Sequence, residues 1–351
     1  MENNDQLFLT GQHLEQYRHA TFLPADYYAE ALRRDPKDVR CNNAMGLWFL
    51  RRGQFSTAEK YLRQAIHTFT QRNPNPYDGE AFYHLGWTLK LQGKTTEAYD
   101  AFYKATWNDA WQHTGFLNLA RIALMQHQYE DALSFIDQSL IRNYHSHTVR
   151  HLKVALLRKL NRDIEARTLI DESLALDPFN YGCIFEKYLL SSPGDEGLGH
   201  LKTLSRNWDH NYIEYALDYA HAGLYTEATQ LLEVYTQGDQ HNTLVTYYLG
   251  WLAYQAGLLQ EATSYFNTAA SLSPDFVFPN RVEDLLVLQT AIALNPADAK
   301  AYYYLGNYWY DKRQYREAIT CWETAAEIKG DFPTVFRNLS LAYYNKQHDE
   351  A

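Results

Sequence analysis

Residues 247–270 read YYLGWLAYQAGLLQEATSYFNTAA, and the same arrangement returns as YHLGWTLKLQGKTTEAYDAFYKAT at 83–106 and YYLGNYWYDKRQYREAITCWETAA at 303–326. In each stretch a glycine follows three large residues, and an alanine stands twelve positions later. Two antiparallel helices approach closely only where side chains are nearly absent, so these small residues predict the crossing point of a helical hairpin. An internal repeat of this kind decides the fold.

Seven copies of this hairpin align without gaps along the chain. Their second-helix alanines are Ala58, Ala98, Ala132, Ala166, Ala228, Ala262 and Ala318, at spacings of 40, 34, 34, 62, 34 and 56 residues. The spacings of 62 and 56 predict two further, degenerate units, one around 181–207 and one at 275–297. The first-helix crossing residues are Gly46, Gly86, Ala120, Val154, Ala216, Gly250 and Gly306, and Ser340 continues the series.

The turns and links between helices are also patterned. The turn residue is Gly or Asn in five copies, as a left-handed helix C-cap prefers, whereas His127 and Arg313 occupy it in the other two. We expect those two turns to be strained or differently shaped. The links RDPKD at 34–38, LDPFN at 176–180 and LNPAD at 294–298 combine a proline that ends one helix with an Asp or Asn that can cap the next.

These residues resemble the tetratricopeptide repeat, whose signature W/L-x-x-L-G…A…F…A…P recurs every 34 residues. The resemblance covers about residues 24–351. It implies an all-α fold, a right-handed α-solenoid of about nine helix pairs, some of them degenerate. In that family the first helices line the concave face and bind proteins or peptides.

The repeat pattern divides the chain into four segments. Residues 1–36 form an N-terminal cap or half repeat, 37–190 a repeat array, 191–207 a degenerate unit with the breaker SSPGDEGLGH, and 208–351 a second array ending in a truncated repeat. We expect the missing last helix to leave Leu339, Ala342 and Tyr343 exposed. The chain is therefore expected to be a fragment of a larger protein.

A narrower resemblance supports that expectation. The runs RRDPKDVRCNNAMGLW at 33–48, RNPNPYDGEAFYHLGWTLK at 72–90, YKATWNDAWQ at 103–112 and FPTVFRNLSLAYYNK at 332–346 are similar to the C-terminal repeat region of large bacterial proteins. Those proteins carry domain-of-unknown-function family 5107 upstream, with folds like carbohydrate-active β-sandwich domains. The resemblance implies a bacterial origin and an N-terminal partner domain.

Composition excludes several classes of protein. The 351 residues are 46% hydrophobic and 15% aromatic, which is too rich in core-forming residues for a disordered chain. A net charge of −10 argues against a nucleic-acid partner, because a phosphate backbone binds to clustered positive charge. Cys41, Cys183 and Cys321 lie too far apart for a close-spaced zinc motif. No signal peptide or membrane span is visible, so we expect a cytoplasmic protein without a membrane partner.

The sequence contains no recognisable catalytic or cofactor motif. A Gly-rich phosphate loop, a nucleophile elbow, HExxH and CxxC are all missing. His145 and His147 are the closest histidine pair, but they lie in a link between repeats, where a surface loop is the simpler interpretation. We expect no catalytic residue, metal or cofactor in this chain, which leaves the activity of the full-length protein open.

A binding function must therefore come from surface residues. Helical periodicity predicts that one set of residues faces the concave groove. The link after the first aligned copy carries about six inserted residues with two Asn-Pro steps, so we expect it to form a rigid contact loop. The groove set is Tyr83, Trp87, Lys90, Tyr247, Trp251, Tyr254, Tyr303, Asn307, Tyr310, Arg337 and Tyr344. Six of its rings are expected to be accessible, those of Tyr83, Trp87, Trp251, Tyr254, Tyr303 and Tyr310. The loop set is Asn73, Asn75, Tyr77 and Asp78, of which Asp78 is expected to cap the following helix.

Two functions fit such a surface. The favoured interpretation is a non-catalytic scaffold for protein–protein association, with an N-terminal domain of the same polypeptide as one possible partner. The alternative is an accessory region of a carbohydrate-processing enzyme, in which the aromatic groove binds a glycan. Lys90 and Arg337 would make the affinity for an acidic peptide fall with salt, whereas stacking on a neutral sugar would be nearly salt-independent.

Overall fold

A computed structural model describes residues 3–17, 21–191, 197–206, 208–236 and 242–349. Within these residues the chain forms helices and no strand, as predicted. The helices are α1 (Asn4–Gln16), α2 (Pro24–Arg34), α3 (Val39–Leu50), α4 (Phe55–Thr70), α5 (Glu80–Leu91), α6 (Thr95–Ala105), α7 (Asp109–Met125), α8 (Tyr129–Arg142), α9 (His147–Lys159), α10 (Asp163–Leu176), α11 (Tyr181–Leu189), α12 (Gly197–Leu204), α13 (Asp209–Ala220), α14 (Tyr225–Thr236), α15 (Thr243–Gln255), α16 (Leu259–Ser271), α17 (Val282–Leu294), α18 (Ala299–Asp311), α19 (Tyr315–Ile328) and α20 (Pro333–Asp349).

The helices belong to two compact units, Met1–Asn161 and Arg162–Ala351. The first unit contains the hairpins α1/α2, α3/α4, α5/α6 and α7/α8, followed by α9. The second begins with α10 and contains the hairpins α11/α12, α13/α14, α15/α16 and α18/α19, with α17 and α20 outside a hairpin. The division falls at Asn161, inside the predicted array, and residues 192–196 and 207 of the predicted breaker lie outside the described residues.

The predicted crossing points are where paired helices touch. A Cβ added to Gly86 would lie 2.6 Å from the Phe102 ring of the facing helix, and one added to Gly250 would lie 2.7 Å from the Phe266 ring. Gly46 faces Leu62 and Gly306 faces Trp322 in the same way. Each facing residue is buried and stands sixteen positions after its glycine. Because glycine has no side chain, the large residue of the facing helix can pack directly against its backbone.

All seven turns inside the repeats have the same left-handed geometry. The four glycines, Gly53, Gly93, Gly223 and Gly257, have φ between 72° and 80°. His127 and Arg313 both have φ of 59°, and Asn161 has φ of 57°. The turns at His127 and Arg313 are thus strained rather than differently shaped, because an L-residue with a Cβ disfavours this region.

The links between repeats cap the helices as predicted. The carboxylate of Asp38 accepts a hydrogen bond from the backbone N–H of Cys41 at 3.0 Å, and Asp298 accepts from those of Lys300 and Ala301 at 3.0 and 3.1 Å. Asn180 and Asn242 cap α11 and α15 similarly. These caps fix where each hairpin begins.

The last helix departs from the prediction. Leu339 and Ala342 are buried, because α20 packs its apolar face on α19. Tyr343 is exposed as expected, and its hydroxyl donates to Glu323. Three further apolar side chains of α20 are exposed, namely Phe336, Leu341 and Tyr344.

Candidate functional site

In the second unit, two of the predicted groove residues are core residues. Tyr247 is fully buried and Trp251 is 6% exposed, so the expectation of an accessible Trp251 ring is wrong. The degenerate unit at 275–297 has a single described helix, α17, which packs directly on α15. As a result, α15 is buried continuously from Thr243 to Ala253, and the Tyr247 hydroxyl donates to Asp298 at 2.6 Å.

The other predicted residues of the second unit remain at least partly accessible. Tyr254 and Tyr344 are exposed, as is Arg337. Asn307 accepts hydrogen bonds from Trp322 Nε1 and the Asn338 amide at 3.2 and 3.1 Å, so its oxygen is already used within the repeat. Half-buried Tyr303 packs on Phe332 at 4.9 Å, and half-buried Tyr310 packs on Tyr315 and Trp322 at 5.0 and 5.3 Å between ring centroids.

In the first unit, the predicted aromatic residues are half-buried. Tyr83 packs on Trp111 at 4.8 Å and on Phe102 at 5.8 Å between ring centroids. Trp87 packs edge-on against Phe102 and lies beneath the ammonium group of Lys90 at 5.2 Å. These rings therefore pack mainly in the core of the hairpins, and only part of their surface is accessible to solvent.

The inserted link 71–79 is held at several points. Asn75 accepts a hydrogen bond from Lys104 Nζ at 2.6 Å, and the Tyr77 carbonyl accepts one from the Asn108 amide. Asp78 Oδ1 accepts from the backbone N–H of Glu80, the first residue of α5, at 3.0 Å, although the N-cap position itself is occupied by Gly79. The same oxygen accepts from Trp111 Nε1 at 3.2 Å.

The link also presents its exposed tyrosine to a cavity. The Tyr77 side chain is 84% exposed, and its ring meets that of Phe69 edge-on at 5.6 Å. Both rings line a cavity of about 740 Å³ between α1, α3 and the start of α5, which we name the α1–α5 pocket. Its lining residues are Phe8, Gln12, Glu15, Gln16, Tyr28, Val39, Arg40, Asn43, Ala44, Leu47, Arg51, Phe69, Tyr77, Asp78, Glu80 and Ala81.

Charged groups in the pocket are arranged around Glu15. Arg51 Nη1 lies 2.5 Å from Glu15 Oε1, and the Tyr28 hydroxyl donates to the other carboxylate oxygen at 3.3 Å. Burial and the Glu15 charge both raise the pKa of Tyr28, which keeps its hydroxyl protonated as a donor. Arg40, at the other side, pairs with Asp5 at 2.6 Å and covers the Phe8 ring at 5.1 Å.

Glu80 and Asn43 line the opposite wall, and buried His84 lies behind them in the same polar chain. His84 Nδ1 lies 3.1 Å from the side-chain oxygen of Asn43, and burial lowers the pKa of His84 to about 4. The side chain of Asn43 also forms a hydrogen bond with the Glu80 carboxyl. Burial, and next the charge of Asp78, raise the pKa of the Glu80 carboxyl, against a smaller opposite effect of its hydrogen bond with Asn43.

The α1–α5 pocket combines aromatic rings with a small number of polar groups. No group of three or more His, Cys, Asp and Glu side chains among the described residues has the geometry of a metal site. A cavity of this size that combines aromatic walls with a few polar groups has the general form of a ligand site. Sequence reasoning placed Tyr77 and Asp78 on a contact loop but missed the pocket beneath it. The signal was the six-residue excess in the 40-residue spacing, followed directly by the carboxylate of Glu80.

None of the helices within the described ranges is both long and apolar enough to cross a bilayer.

The described residues form repeated helical hairpins with small residues at their crossing points, and a pocket lies between α1, α3 and the start of α5. The tetratricopeptide-repeat family models match residues 43–111 and 299–332, which identifies these two stretches as tetratricopeptide repeats. The first stretch begins inside α3 and includes α4 and the hairpin α5/α6, and the second contains the hairpin α18/α19.

Several solved structures are similar to this chain. A tetratricopeptide repeat protein from Parabacteroides merdae is 16% identical, with 90% of this chain and 98% of that chain covered and a TM-score of 0.38. Human IFIT1, solved as a dimer with m7Gppp-AAAA, is 15% identical, with coverages of 94% and 73% and a TM-score of 0.42. The TPR domain of P58(IPK) is 16% identical, with both coverages 99% and a TM-score of 0.31.

Proposed function

We propose that this chain is a non-catalytic scaffold that binds an extended protein segment in the α1–α5 pocket. The observation that carries the proposal is the pocket itself, about 740 Å³ in volume, with the ring of Tyr77 held over one side by an anchored link. An extended peptide needs such a row of partly apolar, partly polar positions. The segment comes from another protein or from another domain of the same polypeptide.

The glycan alternative is less well supported by the geometry. Sugar rings stack on open aromatic faces, but Trp251 is buried, and Trp87 is packed against Phe102 with Lys90 above it. A nucleic-acid ligand is disfavoured by the net charge of −10.

Peptide binding by the full chain tests the proposal. A positional-scanning library of short synthetic peptides identifies binders, and fluorescence anisotropy measures their affinity for the wild type and for Tyr77→Ala. Because Tyr77 is 84% exposed, its loss should leave the circular dichroism spectrum and the unfolding midpoint unchanged. We expect the affinity to fall about tenfold, equivalent to ~1.4 kcal/mol, as for an aromatic anchor.

Phe276→Ala is the matched control, since Phe276 is an aromatic residue 86% exposed in the second unit. It should bind each peptide as the wild type does. Equal affinities of Tyr77→Ala and Phe276→Ala would exclude the pocket as the binding site. Absence of binding by every peptide in the library would contradict the proposed function itself.

A further inference from the structure

The α1–α5 pocket has an unequal charge balance. Three carboxylates line it, those of Glu15, Asp78 and Glu80, against the two guanidinium groups of Arg40 and Arg51. Both guanidinium groups already have carboxylate partners, since Arg51 pairs with Glu15 and Arg40 pairs with Asp5. The pocket therefore contains more negative charge than its own cations neutralise.

The excess negative charge lies at the start of α5, on Asp78 and Glu80. Asp78 accepts hydrogen bonds from the Glu80 backbone and from Trp111, and Glu80 interacts with the amide of Asn43. In the described part of the chain, neither carboxylate forms an ion pair with Lys, Arg or His. A carboxylate that is half-buried beside another carboxylate gains most from a cation that arrives with a ligand.

The aromatic walls favour the same kind of ligand. Phe69 and Tyr77 form one edge of the pocket, and Phe8 and Tyr28 lie on the α1/α2 side. Of these rings Phe8 already carries a cation, the guanidinium of Arg40, which shows that this wall accommodates one. A positive group held over an aromatic face is stabilised by the ring quadrupole, and more strongly where water is displaced.

On the basis of the proposed function, we infer that the bound segment carries a lysine or arginine side chain, which enters the α1–α5 pocket between the ring of Tyr77 and the carboxylate of Glu80. The aromatic ring packs on the aliphatic stem and attracts the charged end, and the carboxylate neutralises it. The pocket would therefore recognise a basic segment, whereas the sequence predicts that Lys90 and Arg337 favour an acidic peptide.

Matched peptides test this inference. The strongest library binder is resynthesised with each Lys replaced by norleucine and each Arg by citrulline, which keeps the shape and removes the charge. We expect one such replacement to weaken binding to the wild type at least about tenfold. The affinity of the charged peptide should also fall with added salt, and that of the neutral peptide should not.

Glu80→Gln provides the complementary change, because glutamine keeps the size of the side chain and its interaction with Asn43. We expect the variant to lose the preference for the charged peptide, so that it binds the charged and neutral peptides with similar affinity. The matched control is Glu130→Gln, at an exposed carboxylate of α8 outside the pocket, which should leave the preference unchanged.

The outcomes separate the inference from the proposed function. If peptides bind but the charged and neutral versions bind equally, the inference is wrong and the scaffold function stands. The same holds if Glu80→Gln retains the preference or if acidic peptides are selected. If no peptide of any composition binds, both are wrong. The comparison of charged and neutral peptides on the wild type decides the matter even if Glu80→Gln folds poorly.

Discussion

Replacing Gly86 by alanine tests whether the crossing glycines are there to seat the facing ring. The added Cβ would lie 2.6 Å from Phe102 Cδ1 and 2.7 Å from Cε1, distances that real Cβ atoms do not tolerate. Phe102 is fully buried, with Tyr83 and Trp87 on its flanks at 5.8 and 6.2 Å between centroids. The ring therefore has no free space to turn into, and the hairpin α5/α6 has to open.

The magnitude follows from two opposing contributions. Gly→Ala inside a helix stabilises it by about 1 kcal/mol through backbone entropy. Overpacking a rigid buried ring costs ~1–3 kcal/mol, and the upper end applies here because several ring atoms would clash. We therefore expect Gly86→Ala to lower the free energy of unfolding by about 2 kcal/mol.

The chain itself suggests the compensating change. At the equivalent positions of the next hairpin, alanine and isoleucine stand together as buried Ala120 and Ile136. In a Phe102→Ile background, Gly86→Ala should therefore change sign and stabilise by up to about 1 kcal/mol. The assay is urea unfolding followed by circular dichroism, together with hydrogen exchange of the α5 and α6 amides, because repeat arrays open locally. If Gly86→Ala left the free energy of unfolding unchanged, or lowered it equally in the wild-type and Phe102→Ile backgrounds, that result would refute the reasoning.

Two further predictions concern the turns and the acid sensitivity of the first unit. Gly93→Ala and Gly257→Ala should each destabilise the protein by about 1 kcal/mol from backbone strain alone, because an added Cβ meets no atom within 4 Å at either position. Arg313→Gly should stabilise it by a similar amount, because it relieves the same strain. Urea unfolding measures both changes. Burial alone would raise the pKa of Glu59, but hydrogen bonds from Lys94, Arg63 and Gln92 outweigh it and lower the pKa from its ordinary 4.5 to about 2. Its stabilising contribution is present above pH 4.5 and is lost as the pH falls towards 2, so Glu59→Gln should flatten this part of the pH dependence of unfolding, and an unchanged acid limb would contradict it.

The repeat was predictable because its physical cause is local. Close helix crossing favours a small residue at the position of Gly86 and an alanine twelve positions later, as at Ala98, so this spacing recurs along the sequence. The turn geometry followed equally directly, and Arg313 adopts it at the cost of strain because the hairpin over-determines the backbone there.

The site was predictable only in part, because it depends on irregular units. Periodicity places Trp251 on an open face, but this holds only if a complete hairpin follows α15. The packing of α17 on α15, with the Tyr248 hydroxyl donating to buried Asp284 at 2.6 Å, depends on a degenerate unit whose geometry no repeat rule supplies. The α1–α5 pocket likewise depends on how one inserted link folds back over the helices.

The attachment of that link has a consequence for the thermodynamics and speed of recognition. Its anchors, Lys104, Asn108 and Trp111, all lie on the following hairpins and outside the pocket. A loop ordered only by its ligand loses conformational entropy on binding, about 0.5–1.5 kcal/mol for each immobilised side chain. The backbone of Tyr77 is already fixed, so a ligand would have to order only its side chain and not the loop that carries it. If the proposed segment binds in the α1–α5 pocket, residues that never touch it would contribute to its affinity, and the encounter would require no prior rearrangement of the loop.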